Sequence, residues 1–474
     1  MPRQRRWHKA RRRRGAALVM VLGTIAILTV LLGELQEQSS SGLAAAIAER
    51  DRLVAEYHAR SAVNLARLLI ATEPTVRRAL APIFMMLGAK PPQIPVWEFA
   101  PQVLGAFGDA TGTETFRAFA NVDPSAGTNL GLGGAGRFEV AIVDEDSKLN
   151  VNVAARGDII SQTRLSAQLL GLLAQPQYSP MFEQPDADGQ HSDQPTVCGA
   201  LMDWADSDEN LQPCDPRAEG PISAGTEDNF YQTIGLAYFR KNAAYDSLDE
   251  LRLVRAVGDD FWATFVDPEP NDPHKRIMTV WGQGRINVNT ANAQTLLALV
   301  CAGAPDSELC LDPVQAQAFI MGVTLARSLT MGVPLFGSPG DFVSVMKGKG
   351  MVGPLLAALN VKPVTFKSDS EMKKMVSTES KVFSIYADGV VSGTKRETRV
   401  RIQATIDFRQ AQPLGALPEP AAGTAGAGAA GSVVTAAPKP KEETTTSAEQ
   451  LTPAELVAAM ASDPAGNVIY WRVE

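Results

Sequence analysis

The clearest pattern lies at the start of the chain. Gly15 to Gly33 (GAALVMVLGTIAILTVLLG) is apolar and carries no charge. Roughly 18 to 20 such residues cross a bilayer as a helix. Helical spacing then continues through Leu43, Ile47, Val54, Tyr57, Leu65 and Leu68, with Glu49, Arg50, Asp51, Arg52 and Arg60 between them. Glu73 precedes Pro74, which disfavours further helix. The pattern therefore predicts one helix from about Ala16 to about Thr72. Its first half lies in lipid and its second half lays an apolar stripe on a folded head.

From Pro74 to Gly136, short helical pieces give way to loops rich in Gly and Pro. Gly131 to Gly136 matches GxGxxG, but an extended run (Phe138, Val140, Ile142) follows where a dinucleotide site needs a helix, so the glycines read as a loop. Arg137 to Val143 reads as a strand. Helices are predicted at Ile159 to Leu173, Ala293 to Val300, Pro313 to Leu329, Pro339 to Met346 and Gly353 to Leu359. Another, capped by Asp246 or Ser247, runs through Val254. Gln175 to Asp193 reads as loop. At about Lys381 the period changes. Phe383, Tyr386 and Val390 form one run, and Val400, Ile402, Ala404 and Ile406 another, with Gly393 and Thr394 in the turn between. This antiparallel hairpin takes the strand at Arg137 to Val143 as its partner.

The fold class is thus α+β: a long N-terminal helix, a small antiparallel sheet and a large α-helical domain inserted into it. The divisions are a leader (1–15), the long helix (16–73), the first part of the head (74–154), the helical insertion (155–370) and the closing strands (371–409). A flexible Ala/Gly/Pro/Thr linker (410–447) and a short terminal segment (448–474) follow. That last segment, one helix and one strand, is too small to make a core alone.

Charge sharpens this reading. The net charge of -8 hides a leader, Met1 to Arg14, that carries eight basic residues and no acid, leaving 36 basic against 52 acidic residues in the rest. A basic run ending directly at an apolar span fits the positive-inside rule, with the N-terminus in the cytoplasm and the head exported. A head this acidic argues against a nucleic-acid binder. No small-residue cleavage site follows the apolar stretch, so the leader is not an ordinary secretory signal. The step from Arg14 to Gly15 and Ala16 resembles the type IV prepilin leader, which is cut after the glycine on the cytoplasmic side to leave a methylated N-terminus, here Ala16.

The four cysteines fall into two local pairs in an exported head, which favours Cys198 with Cys214 and Cys301 with Cys310, against the alternative of four buried thiols. A loop of about 15 residues closed in this way adds roughly 3 kcal/mol in the chain-entropy account. A zinc site is disfavoured: neither pair has CxxC spacing and the four histidines are scattered.

Several separate motifs then occur in order: the Arg-Gly-Ala junction, DEDSKLNVN at Asp144 to Asn152, LMDWADSDEN at Leu201 to Asn210, GTEDNFY at Gly225 to Tyr231, NAAYDSLDELRLVRAV from Asn242, and RINVNTA at Arg285 to Ala291. Together they resemble the minor pseudopilin K family of type II secretion (general secretion pathway protein K), over about Arg11 to Arg409. The resemblance implies a type IV pilin-like long helix, an inner-membrane single-pass protein with a periplasmic head, and processing by prepilin peptidase. It also implies the I and J minor pseudopilins as partners and a place at the pseudopilus tip. Counted from Ala16, the fifth residue is Met20, where most pilins have glutamate. A tip subunit has no neighbour above to neutralise such a charge in lipid, although Met20 also reads simply as a lipid-facing residue. The terminal linker and segment lie outside the resemblance.

Asp203, Asp206 and Asp208 sit close together with Glu209 adjacent, and Glu227 and Asp228 follow a Pro/Gly-rich loop. Carboxylates this dense repel unless a cation joins them, and calcium accepts such oxygen ligands. The residues alone equally allow a solvated acidic loop. Resemblance implies structural calcium in the helical insertion, with Asp203, Asp206, Asp208, Glu227 and Asn242 as the ligands carried over.

The sequence argues against two other functions. For an enzyme there is no GxSxG, no HExxH and no His clustered with Cys or Ser, so no catalytic role is expected. Ile286 to Ala291 looks like the opening of a helix-hairpin-helix nucleic-acid unit, but the glycine hairpin expected after Leu299 is a poor match and the head is acidic. An Asn or Thr cap on a packing helix reads better.

Overall fold

The computed structural model describes residues 8–86, 90–105, 107, 136–186, 189–209, 214, 229–270, 272–330, 332–350, 352–393, 396–411 and 463–474, with side chains described from Ala16 onward in the first helix. Helix α1 spans His8–Met86, 79 residues. From Ala16 to Arg50 its side chains are exposed, and burial begins at Asp51. The buried face is Ala55, Ala59, Ala62, Val63, Ala66 and Ile70, a run of mostly small residues at helical spacing.

The helix does not stop near Thr72 as the sequence predicts. It runs through Pro74 and Pro82. A proline inside a helix removes one backbone hydrogen bond and crowds the preceding turn. Here tertiary anchors hold the turn in place. The Glu73 carboxylate accepts from Arg77 at 2.9 and 3.1 Å and from the Ile94 amide at 3.1 Å, and Arg77 reaches on to Glu379 at 2.6 Å. A short helix α2 (Ala100–Gly105) follows and packs on the same core.

The sheet has four antiparallel strands in the order β1 (Gly136–Asp144), β6 (Val382–Ser392), β7 (Glu397–Asp407) and β8 (Asn467–Val473). The predicted three-strand pairing is present, with Val140 opposite Ala387 and Tyr386 opposite Gln403. Alternation along each strand decides what it touches. Phe138, Ile142, Ile385, Ala387, Ile402 and Ala404 share a core with α1. The intervening residues, among them Tyr386, Arg401 and Gln403, face the inserted helical region instead.

The seam between helix and sheet is tight at Gly389 of β6. A Cβ there would lie 1.8 Å from the Ala55 carbonyl oxygen and 2.8 Å from the Ala59 amide. Only glycine allows the two backbones to come this close.

The terminal segment supplies the strand expected there and joins the sheet: β8 pairs with β7 from Asn467 opposite Asp407 to Val473 opposite Ile402, with an irregularity between Thr405 and Ile406. Arg67 of α1 fastens its entry, donating to the carbonyls of Ala465 (3.0 Å) and Gly466 (2.7 Å) and to the Asp463 carboxylate (2.8 Å). Residues 412–462, which hold the predicted linker and the predicted short helix, lie outside the described residues.

Between β1 and β6 the insertion forms two units built by the same device. In the first, β2 (Leu149–Asn150) pairs in parallel with β3 (Met278–Thr279). In the second, β4 (Ile286–Asn287) pairs in parallel with β5 (Val376–Ser377). Each opens on an Asn-Val-Asn turn. The Asn150 side chain accepts from the Asn152 amide at 2.9 Å, and that of Asn287 from the Asn289 amide at 3.0 Å. The second asparagine then clamps the backbone of an aromatic residue. Asn152 bonds both N–H and C=O of Tyr245, and Asn289 bonds both of Phe336. A capped helix follows each turn: α3 (Ile159–Leu173), capped by Asp158, and α5 (Ala293–Gly303), capped by Asn292. The two helices cross at Gly171, where a Cβ would meet the Ala298 carbonyl at 2.3 Å.

The first unit adds α4 (Gln194–Asp203). The second adds α6 (Pro313–Thr330), α7 (Pro339–Met346), α8 (Gly353–Ala358) and α9 (Asp369–Met375). Each unit has its own apolar core. The boundaries therefore differ from 155–370: the insertion begins directly after Asp144 and ends before Val382. The stretch after Ser247 is a 3-10 turn, Leu248–Leu253, not the predicted α-helix. Ser247 makes no side-chain cap there, and the Lys241 ammonium instead draws Asp246 (2.7 Å) and Glu250 (2.9 Å) together. Short helical turns, Pro176–Tyr178 and Ser179–Glu183, occupy part of the stretch predicted as loop.

Gly389→Val tests the seam. Overpacking a closed backbone contact costs about 1–3 kcal/mol or more. The variant is expected to melt several degrees lower by circular dichroism and to become protease-sensitive between α1 and the sheet. A melt equal to wild type would show that the close approach carries no weight.

Candidate functional site

Three groups of residues bear on function: the exposed helix, the junction where sheet meets insertion, and the acidic turn after α4.

Gly15 lies within α1, and Ala16 is the first residue whose side chain is described. The segment starting at Ala16 contains an 18-residue window of mean hydropathy 2.5, none of it buried, so α1 is long and apolar enough to cross a membrane. Met20 is 71 % exposed. Further along α1, Leu43, Ile47, Leu53, Tyr57, Leu68 and Ile83 remain exposed although they are apolar. At 100° per residue they fall on one arc, opposite the alanine face that packs on the sheet.

The junction is built from Asp144, Glu145 and Asp146, all buried. Asp144 caps its own turn by accepting from the Asp146 amide at 2.9 Å. Its other oxygen accepts from the hydroxyls of Thr290 and Ser380. Asp146 accepts from the backbone amides of Gln283 (2.6 Å), Lys381 (2.7 Å) and Val382 (3.2 Å) and from the Gln283 side chain (3.0 Å). These two carboxylates therefore tie the link between the two units and the return into β6 back onto the end of β1. Glu145 pairs with buried Lys148 at 3.3 Å and accepts from Thr279. Lys148 and the hydroxyl donors hold Glu145 below its ordinary pKa despite burial, and burial lowers Lys148. The sequence showed the acidic block but not this role. Its one signal was position, three acids directly after a period-2 run.

The same bonds settle the Asn-Val-Asn turn of the second unit. The Val288 amide donates to Ser377, the Asn289 amide to the Asn287 side chain, the Ala291 amide to the Asn287 carbonyl, and Thr290 to Asp144. These donors are committed internally and do not face outward toward phosphate.

The acidic turn is assembled less completely. Asp203 ends α4 and is buried; Asp206 is 1 % exposed; Asp208 and Glu209 are exposed. Among the described residues, both carboxylate oxygens of Asp206 are buried without a hydrogen-bond partner. Burial, then the Asp208 charge, push its pKa up to about 6, against the pull of Arg240. A buried, unpartnered carboxylate is costly, and a cation is the partner its chemistry suits. Asn242 is exposed and takes a left-handed backbone (φ 52°). Glu227 lies outside the described residues. Among the described residues, no three His, Cys, Asp or Glu side chains converge as a metal would require. Asp206 thus fits a cation, while a complete ligand set is not brought together by the described part of the chain.

The turn is held from two sides. Trp204 stacks on Tyr245 (6.5 Å between centroids, 18° between planes), with Tyr231 and Tyr238 around it. The Cys198–Cys214 disulfide, with Cα atoms 5.8 Å apart, ties α4 to the chain beyond the turn. Cys301–Cys310, with Cα atoms 5.6 Å apart, joins the end of α5 to the short helix Glu308–Leu311.

The junction makes stability depend on pH. Burial, then the charge of Asp146, push Asp144 up to about 7, and burial also raises Asp146. Between about pH 4 and pH 7 the folded protein holds a proton here that the unfolded chain has released. Stability contributed by this pair therefore falls as pH rises through that window, by an amount on the order of a few kcal/mol. Asp144→Asn should flatten the dependence of the thermal midpoint on pH relative to wild type. Parallel profiles for the two proteins would contradict it.

No family model matches the chain, and no curated protein matches it. Among solved structures, a chain of the GspK–GspI–GspJ complex from the enterotoxigenic Escherichia coli type 2 secretion system is similar to it. The similarity covers 58 % of this chain and 79 % of that chain, with a TM-score of 0.34 and 16 % identity.

Proposed function

We propose that this chain is a K-type minor pseudopilin of a type II secretion system, a non-enzymatic subunit that caps the pseudopilus tip and starts its assembly with the I and J pseudopilins. The observation that carries the reading is the division of α1: exposed and apolar through its first part, then fastened by an alanine face to an antiparallel sheet. A rod of this kind has one half for lipid and one for a head. Its exposed arc from Leu43 to Ile83 offers a surface for neighbouring rods. The ordered motifs from the Arg-Gly-Ala junction to RINVNTA support the assignment to the K type.

In this reading prepilin peptidase cuts after Gly15 and Ala16 becomes the methylated N-terminus. The protein sits in the inner membrane with a periplasmic head. The insertion between β1 and β6 makes the head too broad for another subunit to stack above it, and Met20 leaves no charge in lipid that a subunit above would have to neutralise.

Calcium belongs to the same reading. Asp203, Asp206, Asp208, Glu227 and Asn242 would hold it, with Asp206 supplying the buried carboxylate that has no hydrogen-bond partner among the described residues. The ion would tie the turn after α4 to the residues before Tyr245 and do no chemistry. The nucleic-acid alternative is not favoured, since the backbone donors of its candidate turn are already used.

Two measurements test the proposal. N-terminal sequencing of protein from membranes should begin at methylated Ala16, and affinity purification should recover the I and J pseudopilins. An intact arginine-rich start, or recovery of neither partner, refutes it. Separately, a calcium chelator should lower the melting temperature of wild type by several degrees, and Asp206→Asn should abolish that response. A melt indifferent to calcium removes the metal from the proposal while leaving the pseudopilin reading in place.

A further inference from the structure

The polar side of the sheet does not lie flush on the first helical unit. A cleft of about 280 Å³ opens between them, and β8 forms one of its walls. At its floor the Tyr386 hydroxyl accepts from Arg276 at 2.8 Å and from the Gln403 amide at 3.2 Å. Trp281 and Tyr470 meet at the rim with ring centroids 5.6 Å apart. Trp262 lines it from the insertion, and the Arg252 guanidinium sits 4.0 Å from the centre of that ring.

The charges in this cleft are already matched. Arg276 holds Asp267 at 3.1 Å, Lys148 holds Glu145 at 3.3 Å, Arg401 holds Asp388 at 2.8 Å, and Arg472 contacts Asp249 at 3.5 Å. A site whose cations each have a carboxylate offers no net field to a free phosphate or carboxylate. Nor is it an apolar pocket, because most of its lining is polar. What remains is a dense set of fixed donors and acceptors beside several aromatic faces. Its natural guest is neutral, rich in hydroxyls, and apolar on the faces of its ring.

We propose that this cleft binds a pyranose sugar, as a free oligosaccharide or as a unit of a cell-wall glycan. Gln403 and Arg276 would meet ring hydroxyls, and Trp281 and Tyr470 would pack on the C–H face. The wall that completes the site comes from the terminal segment, which lies outside the motifs that support the pseudopilin reading. Sugar binding therefore stands or falls independently of that reading, and it gives the segment a purpose.

The test uses the full chain in a detergent that has no sugar headgroup. Tryptophan fluorescence and calorimetry follow titration with tetra-N-acetylchitotetraose and with maltotetraose, up to about 10 mM, the weak end of specific binding. Sedimentation with insoluble peptidoglycan sacculi distinguishes a wall polymer from a free saccharide. At least one probe should bind saturably. Trp281→Ala and Tyr470→Ala should weaken it by about tenfold or more, the scale of one lost ring contact. Gln403→Leu, which keeps the strand pairing and side-chain size, should weaken it without changing the melt. The proposal is overturned if no probe binds, if binding is undiminished in a Gln403→Leu protein that melts like wild type, or if inorganic phosphate binds in preference to every sugar.

Discussion

The close approach of two backbones at Gly389 and Ala55 is the constraint on which the molecule turns. A helix as long and apolar as α1 cannot rely on large apolar residues alone to specify its head, because such residues pack on any apolar surroundings. Small residues solve the problem. Ala55, Ala59, Ala62 and Ala66 let α1 lie so near β6 that no Cβ fits at Gly389. Packing energy then comes from many short-range contacts and is specific to one partner surface. Val63 and Ile70 add burial where the sheet offers Phe383 and Ile385. The outer arc keeps its bulky residues, Leu53, Tyr57 and Leu68, uncovered by the chain itself.

From that seam the architecture spreads outward through polar bonds rather than through a single core. The sheet and the two inserted units have separate apolar clusters. The two units pack directly where α3 crosses α5 at Gly171, and the trio Asp144, Glu145 and Asp146 ties them to the sheet, its carboxylates collecting donors from the start of the second unit, the link at Gln283 and the first residues of β6. Buried carboxylates are expensive to desolvate, so such a knot survives only when nearly every oxygen is satisfied. Asp144 and Asp146 meet that condition. Asp206 does not: among the described residues, neither of its oxygens has a hydrogen-bond partner.

The parts of this fold governed by local periodicity were legible in the sequence. The exposed apolar half of α1, the strand at Arg137 to Val143, the hairpin after Lys381 and the helix limits at Ile159 to Leu173 and Pro339 to Met346 all follow from spacing and caps. The parts governed by distant contacts were not. Pro74 reads as a stop, but the helix continues where Glu73 is fastened to Arg77 and the Ile94 amide, and Arg77 to Glu379. The segment from Ser247 looks amphipathic, yet Lys241 pulls its acids into a 3-10 turn. The kinship of the two units hides in four residues each, Leu149 to Asn152 and Ile286 to Asn289, and emerges only when both second asparagines are seen clamping an aromatic backbone. Of the acidic turn, the sequence located the carboxylates but not their inequality: Asp206 is buried and Asp208 exposed.

The terminal strand shows why chain distance is a poor guide to membership in a fold. Fifty-one residues separate Ala411 from Asp463. The entropy of joining two points on a chain grows only with the logarithm of their separation, so a long connection is little worse than a moderate one. What β8 needs is enough local binding to offset that cost, and it has three sources. One is the ladder along β7, another the Arg67 clamp on Asp463, Ala465 and Gly466, and the last the Trp281–Tyr470 contact with the insertion. These reach α1, the sheet and the first unit, three parts that the rest of the chain brings together. A strand that bonds to all of them at once is stable only where they are already correctly placed, so its docking reports on the assembled head.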